Sequence, residues 1–343
     1  MTKVNFLTAA GLVAIPAIAM ATPTLAQNAL SFSGTATFGY STSDGSGIPA
    51  LNSSLDVYSI DVETDIAYGS NWNLGVDLGF ASGDGNVAAA PGGVNPDLLD
   101  FEFEPSYRMN NGGYVGVYYQ HNALDVSGAG TAAFLAANGL PPNFGQRDTE
   151  SYGIFGGYEG NLFSIEGFAG ISDLNQTFFV PADAHDYGVS AAYKLTPQAE
   201  VFGSIIKTDV DLGGGSFGLL SVSGGGEYTF ASGFSGYGAL TLVEVDTTPI
   251  FVGVVDSFGY TLGVAYDLSS RFNIPVSLNA EYTNTETQTS KTPQFFPNDA
   301  TVEQFSFGVT VALGGAHKKA LNSSTRTARG GNRSVVTAIA KSF

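Results

Sequence analysis

The sequence predicts an all-β chain closed into a transmembrane antiparallel β-barrel, and three observations carry that expectation. From Ala29 to Leu313 the chain divides into fourteen segments in which apolar and polar residues alternate. The connectors between them are alternately short and long, and large aromatic residues collect on the apolar parity near both ends of the segments. Together these describe a barrel greasy on its outside and wet within.

The first segment places Leu30, Phe32, Ala36, Phe38 and Tyr40 on one face and Ser31, Ser33, Thr35 and Thr37 on the other. In the second, Tyr58, Ile60, Val62 and Ile66 alternate with Ser59, Asp61, Glu63 and Asp65, and in the third Trp72, Leu74, Val76, Leu78 and Phe80 alternate with Asn73 and Asp77. The fourth interleaves Leu99, Phe101, Phe103 and Tyr107 with Asp100, Glu102 and Glu104. A period of two is strand geometry. A soluble sandwich alternates in the same way, so the aromatic residues decide. Tyr68, Trp72, Tyr107, Tyr158, Phe163, Tyr193, Phe230, Phe234 and Tyr266 sit beside the short turns, and Tyr40, Tyr58, Phe80, Tyr119, Tyr187, Tyr260, Tyr282 and Phe305 beside the long loops. Two girdles at two membrane interfaces produce this distribution, whereas a sandwich core concentrates rings in mid-strand.

The short connectors carry turn residues, as in Gly69-Ser70-Asn71, Met109 to Gly112, Glu159-Gly160-Asn161, Thr196-Pro197-Gln198, Ala231-Ser232-Gly233 and Ser269 to Asn273. The long ones run from about 42 to 54, 83 to 97, 122 to 147, 173 to 183, 209 to 216, 246 to 255 and 286 to 300. Short turns on the periplasmic side put both termini there. Two segments resist the pattern: Glu200 to Thr208 and Leu240 to Val245 can be read with either parity apolar, so sixteen or twelve strands stand as alternatives to fourteen, an even number being favoured.

Residues 1–26, with Lys3, an apolar run from Phe6 to Ala21 and Thr24-Leu25-Ala26 before Gln27, read as a cleaved secretory signal. That run is too short for a spanning helix, and no later stretch approaches the eighteen apolar residues that one needs. The chain has no cysteine, which excludes disulfides, thiol chemistry and cysteine metal sites. Stability is expected from a closed ladder in which every backbone group is paired.

The last segment, Ser306-Phe307-Gly308-Val309-Thr310-Val311-Ala312-Leu313, resembles the assembly signal of a final barrel strand, and with it residues 1–313 as a whole resemble bacterial outer-membrane porins of the general diffusion type. The resemblance implies an outer-membrane location among lipid, insertion by the barrel-assembly machinery, passage of small hydrophilic solutes, trimers, and no cofactor. It also implies that the long loop after the fifth strand folds inward as a constriction. Pro142-Asn143-Phe144-Gly145 is similar to a motif at that place, and Asp125 with Arg147 would supply its opposed charges. The chain departs from the family by continuing past Leu313. Residues 314–343 hold Lys318, Lys319, Arg326, Arg329, Arg333 and Lys341 with no acid, and are read as a basic periplasmic tail; a fifteenth strand over Val335 to Phe343 would spoil the even count.

Charge carries the functional expectation. All 31 acids lie between Asp44 and Glu303, where only six bases accompany them, so the barrel carries 6 − 31 = −25 against +6 in the tail. Asp61, Glu63, Asp65, Asp77, Asp100, Glu102, Glu104, Glu166, Asp186, Glu227 and Glu281 have lumen parity, shared with the bases Arg108 and Lys194. Carboxylates around a narrow aqueous passage concentrate cations and repel anions, although an acidic lining also serves simply to keep an interior hydrated. A cation-preferring diffusion pore follows, with a substrate-specific channel and a non-conducting interaction barrel as alternatives. So acidic a body has no basic face for nucleic acid. His121 and His185 have lipid-facing parity with no serine and carboxylate partner beside them, so no catalysis is expected. Asp209 to Gly215 lacks calcium-loop spacing, and Gln27 precedes the first strand too closely for a folded plug domain. Gly224, Gly226, Gly236 and Gly238 share outward parity, a flat strip against which another barrel could pack. The tail could enter the lumen as a plug or lie free in the periplasm; the second is the expectation.

Overall fold

The structure is a computed structural model and describes residues 30–47, 53–87, 90–137, 145–174, 182–212, 215–246, 254–272, 274–290, 300–314 and 328–336. The signal segment lies outside the described residues. The strands are β1 (Leu30–Ser46), β2 (Ser53–Tyr68), β3 (Trp72–Val87), β4 (Ala90–Arg108), β5 (Gly113–Ser127), β6 (Gln146–Glu159), β7 (Phe163–Asp173), β8 (Asp183–Lys194), β9 (Ala199–Asp211), β10 (Ser216–Thr229), β11 (Phe234–Asp246), β12 (Val254–Asp267), β13 (Val276–Ser290) and β14 (Ala300–Leu313). Each pairs antiparallel with its neighbours in sequence, and β1 also pairs with β14 from Gly34↔Leu313 to Ser46↔Thr301, which closes a fourteen-stranded barrel. Closure leaves no edge, so the ladder satisfies the backbone groups that hydrocarbon could not.

The burial pattern is inverted relative to a water-soluble protein. Phe38, Trp72, Val115, Ile154 and Leu262 are exposed, whereas Thr35, Thr37, Gln120, Ser151, Thr208 and Thr310 are buried. Apolar side chains cover the outside and polar ones the inside, the arrangement of a barrel whose outer solvent is lipid. Rings pair across neighbouring strands at both rims. Trp72 meets Tyr107 and Tyr158 meets Phe163, each at 5.2 Å between centroids, beside the short turns. Tyr40 meets Tyr58 at 5.2 Å and Tyr282 meets Phe305 at 6.0 Å beside the long loops.

The ladders run past the outer girdle, so the long connectors are shorter than the sequence suggested. The expected connector over 83–97 is corrected: β3 continues to Val87 and β4 begins at Ala90, with a register shift between Gly85 and Val87. Its polar residues, Asp84 among them, extend the strands past the lipid, where both faces meet water and the composition is that of a loop. The span after β5 begins with a helix, α1 (Ala129–Ala137), which starts against Gly92 at the head of β4. A single helical turn, α2 (Ser269–Phe272), makes the turn after β12. On the outside Gly226 lies directly opposite Gly238, and a Cβ at Gly236 would meet nothing within 4 Å, so the wall is flat there.

The two segments of doubtful parity resolve together. On β9 Val201 and Ile205 face outward, and Phe202, Ile206 and Val210 are buried inside; on β11 Leu240 and Leu242 face outward while Ala239 is buried inside. Val243 and Val245 share that inward parity and pack against the buried cluster that includes Ile206 and Val210. Both parities are apolar because this part of the lumen wall carries an internal apolar patch.

Candidate functional site

The register sets the carboxylates of the lumen at defined heights. Thr35 on β1 aligns with Glu63 on β2, Glu63 with Asp77 on β3, Asp77 with Glu102 on β4, and Glu102 with Gln120 on β5, whose amide donates to the Glu102 carboxylate at 3.2 Å. Asp61 and Asp65 lie one step either side of Glu63 on that face. Asp100, Glu102, Asp186, Glu227 and Glu281 are buried within the barrel. Arg108 stands at the rim of the short turns and pairs with Glu159 at 2.5 Å, both side chains about half exposed. Lys194 lies at the same rim, in register with Glu200.

Residues 328–336 lie against this inner wall, on the side formed by β4 to β11. Arg333 is buried and held by three hydrogen bonds: its Nε and one terminal nitrogen donate to Glu104 at 3.0 and 2.6 Å, and the other terminal nitrogen donates to Glu166. Its guanidinium also faces three rings, with Phe155 at 4.8 Å, Phe168 at 5.4 Å and Tyr118 at 5.5 Å from the centroids. Arg329 pairs with Glu200, donates to Glu227 at 3.1 Å and lies 4.1 Å from the Phe202 ring. A guanidinium among two carboxylates and aromatic faces is well matched in shape and charge. A buried ion pair adds little net stability, but removing one partner strands the other at a cost of about 3–5 kcal/mol.

The rings lie flat because glycines on neighbouring strands leave room for them. A Cβ on Gly170 would stand 2.0 Å from the Tyr118 hydroxyl, one on Gly188 2.6 Å from Phe168, one on Gly116 2.5 Å from Phe155, and one on Gly225 2.8 Å from Phe202. Each aromatic side chain therefore leans over a glycine and turns a face toward the interior. Gly330 makes the reciprocal approach from the tail: its φ is +85°, and a Cβ there would stand 2.4 Å from that of Ser190 on β8.

Farther from the short turns the contact becomes apolar. Val335 is fully buried among Leu174, Ala184, Ile206, Val210, Phe217 and Leu219, with Val336 packed against the same cluster. At this level runs a polar relay. Ser151 and Ser172 share a hydrogen bond of 2.6 Å, Ser172 and Thr208 each donate to Asp186 at 2.5 Å, and the Val335 N–H donates to Thr208 at 3.0 Å. The wall thus meets the tail with two cation seats, a backbone acceptor and an apolar floor. Beside the Arg333 seat, toward the short turns, remains a polar cavity of about 290 Å³, lined by Asp65, Asn73, Glu104, Arg108, Tyr114 and Glu166 among others.

Two sequence expectations are corrected here. Residues 328–336 do not lie free beyond the barrel, because its inner wall offers their arginines the part-buried carboxylates of Glu104, Glu166 and Glu200 and the buried one of Glu227. Asp125 and Arg147 do not oppose one another across the lumen. They lie on adjoining strands, Asp125 aligned with Gln146 and Arg147 with Leu124, so strand alternation sends their side chains to opposite faces. Phe144 is outside the described residues. His121 faces Asp148 at 3.3 Å and Glu150 at 3.9 Å on the outward side. Asp209 is taken by Tyr187 and Lys207. Among the described residues no group of acids and histidines has the geometry to hold a metal. Sequence reasoning missed Glu200 and the rings of Tyr118, Phe155, Phe168 and Phe202. The signal that finds them is an aromatic residue on the polar parity with glycine in the neighbouring strand.

No protein-family model matches the chain, and no curated protein matches it. Solved structures do. It is similar to a structure described as the CymD monoaromatic hydrocarbon channel, at 12% identity with a TM-score of 0.51, covering 90% of this chain and 93% of that one. It is also similar to an anion-selective porin from Comamonas acidovorans, at 10% identity with a TM-score of 0.48, covering 83% and 100%. A third is a Pseudomonas aeruginosa FadL homologue, at 10% identity with a TM-score of 0.48, covering 84% and 90%. At such identities the likeness is one of fold, that of outer-membrane β-barrels.

Proposed function

We propose that the protein is an outer-membrane channel that prefers cations, and that its own segment 328–336 restricts the passage at rest. The seating of Arg329 and Arg333 among Glu104, Glu166, Glu200 and Glu227 carries the reading. A wall that holds two guanidiniums in a space lined by further carboxylates favours cations over anions by electrostatics alone. Residues 328–336 are held by side-chain contacts and the Val335 N–H bond to Thr208 and take no place in the strand pairing, so their departure leaves the closed ladder intact.

A general diffusion pore for small hydrophilic solutes and a substrate-specific channel both fit an acidic lumen. The internal apolar patch around Ile206 and Phe217 supports the second, because once Val335 leaves it offers a solute an apolar contact beside the carboxylates. The test is single-channel conductance of the refolded protein in a planar bilayer, with the reversal potential read under a salt gradient. Cation-selective openings interrupted by long closures are expected. A verified folded barrel that stays silent, or an anion-selective reversal potential, overturns the reading.

A further inference from the structure

We infer that the seat of residues 328–336 is also the binding site of the transported solute, and that this solute is a short basic peptide in which an arginine is followed two positions later by an aliphatic residue. The inference rests on the substrate-specific form of the channel reading. Every recognition element belongs to the wall and stays when the tail leaves. Glu104 and Glu166 present acceptors to one planar cation, and the rings of Phe155, Phe168 and Tyr118 surround it.

That combination selects a guanidinium over an ammonium. A guanidinium offers in-plane donors to carboxylates and a weakly hydrated face to aromatic rings, whereas an ammonium is compact and strongly hydrated. The next requirement is spacing. Thr208 accepts the backbone N–H two residues beyond the arginine, and the side chain of that residue enters the apolar cluster of Ile206, Val210 and Phe217. Arg333-Ser334-Val335 satisfies all three features, and the tail is thereby a tethered copy of the ligand. The adjoining cavity of about 290 Å³ leaves room beside the arginine seat.

A tethered competitor acts at an effective concentration of the order of millimolar, so a free peptide meets a site already taken. The experiment titrates the tripeptide amide Arg-Ser-Val by isothermal calorimetry into three full-length refolded chains. These are the native chain, the Arg329→Ser/Arg333→Ser variant, and that variant carrying Glu104→Gln and Glu166→Gln as well, each verified as folded by strand circular dichroism. The peptide is expected to bind the first variant at least tenfold more tightly than the native chain and to lose that binding in the second.

Replacing its valine by aspartate is expected to weaken binding by a further tenfold or more. A folded first variant that binds no peptide, or binds both peptides equally, overturns the inference. The titration needs no conduction. A chain that binds the peptide yet is silent in the bilayer overturns the channel reading and the peptide's transport while the seat's recognition of the peptide stands, and one that conducts cations but ignores the peptide overturns the site alone.

Discussion

Arg333 and Glu104, 229 positions apart in the chain, meet inside the barrel through two hydrogen bonds of 2.6 and 3.0 Å. Replacing Arg333 by alanine removes the cation that pairs with Glu104 and Glu166 and leaves Glu166 the Tyr114 hydroxyl at 2.9 Å. The carboxylates are then better solvated with the segment gone than with it present. The fraction of time spent closed in single-channel records is expected to fall by tenfold or more. Arg333→Lys is expected to restore closure only in part, since a compact, strongly hydrated ammonium lacks the planar face that meets the rings of Phe155, Phe168 and Tyr118.

Attraction between a +6 tail and a −25 barrel is long-ranged before docking, and salt screens it. The Debye length falls from about 10 Å at 0.1 M to about 3 Å at 1 M. The rate of closure is therefore expected to drop several-fold between those salt concentrations. In Arg329→Ser/Arg333→Ser the salt dependence is expected to shrink. Closing rates that do not respond to salt in the native chain contradict the electrostatic account.

Gly330→Ala probes the close approach to β8. The substitution meets both a positive φ and the Ser190 side chain, a strain of about 1–3 kcal/mol. The expected result is a seat weakened by roughly tenfold or more, read as shorter closures, with an unchanged barrel melting temperature because the residue lies outside the ladder. A lowered melting temperature with normal closures reverses the assignment.

Gly170→Ala probes the ring floor. Its new Cβ would stand 2.0 Å from the Tyr118 hydroxyl and 2.6 Å from the Tyr152 carbonyl oxygen, so both ring and wall must shift. Overpacking of this kind costs about 1–3 kcal/mol. The variant is expected to unfold at lower denaturant concentration, and adding Tyr118→Leu is expected to recover part of the loss. Absence of any recovery means that the wall alone takes the strain.

The strands were legible wherever each face had a single solvent. Phe38 or Leu262 outside and Thr37 or Thr261 inside answer to lipid and water, and the period of two follows from that contrast. Legibility failed on β9 and β11, where Ile206, Val243 and Val245 turn apolar side chains inward to meet Val335. Nothing local distinguishes such a residue from a lipid-facing one. Its inward partner lies 90 or more positions away, in a segment whose basic composition reads as solvated tail. Likewise the outer ends of β3 and β4 read as loop because above the lipid both faces of a strand meet water, and the alternation that marks a strand fades.

The seat for Arg329 and Arg333 draws its carboxylates from β4, β7, β9 and β10, strands that come to their positions only as the wall is laid down around them. The segment that fills it follows β14, the strand that locks onto β1. Occupancy is therefore a late event in the history of each molecule, and it reports on workmanship. A wall with a slipped register displaces at least one of the four carboxylates and leaves the arginines outside, so protection of Arg329 from a protease that cuts after arginine distinguishes a correctly finished barrel from a miscarried one.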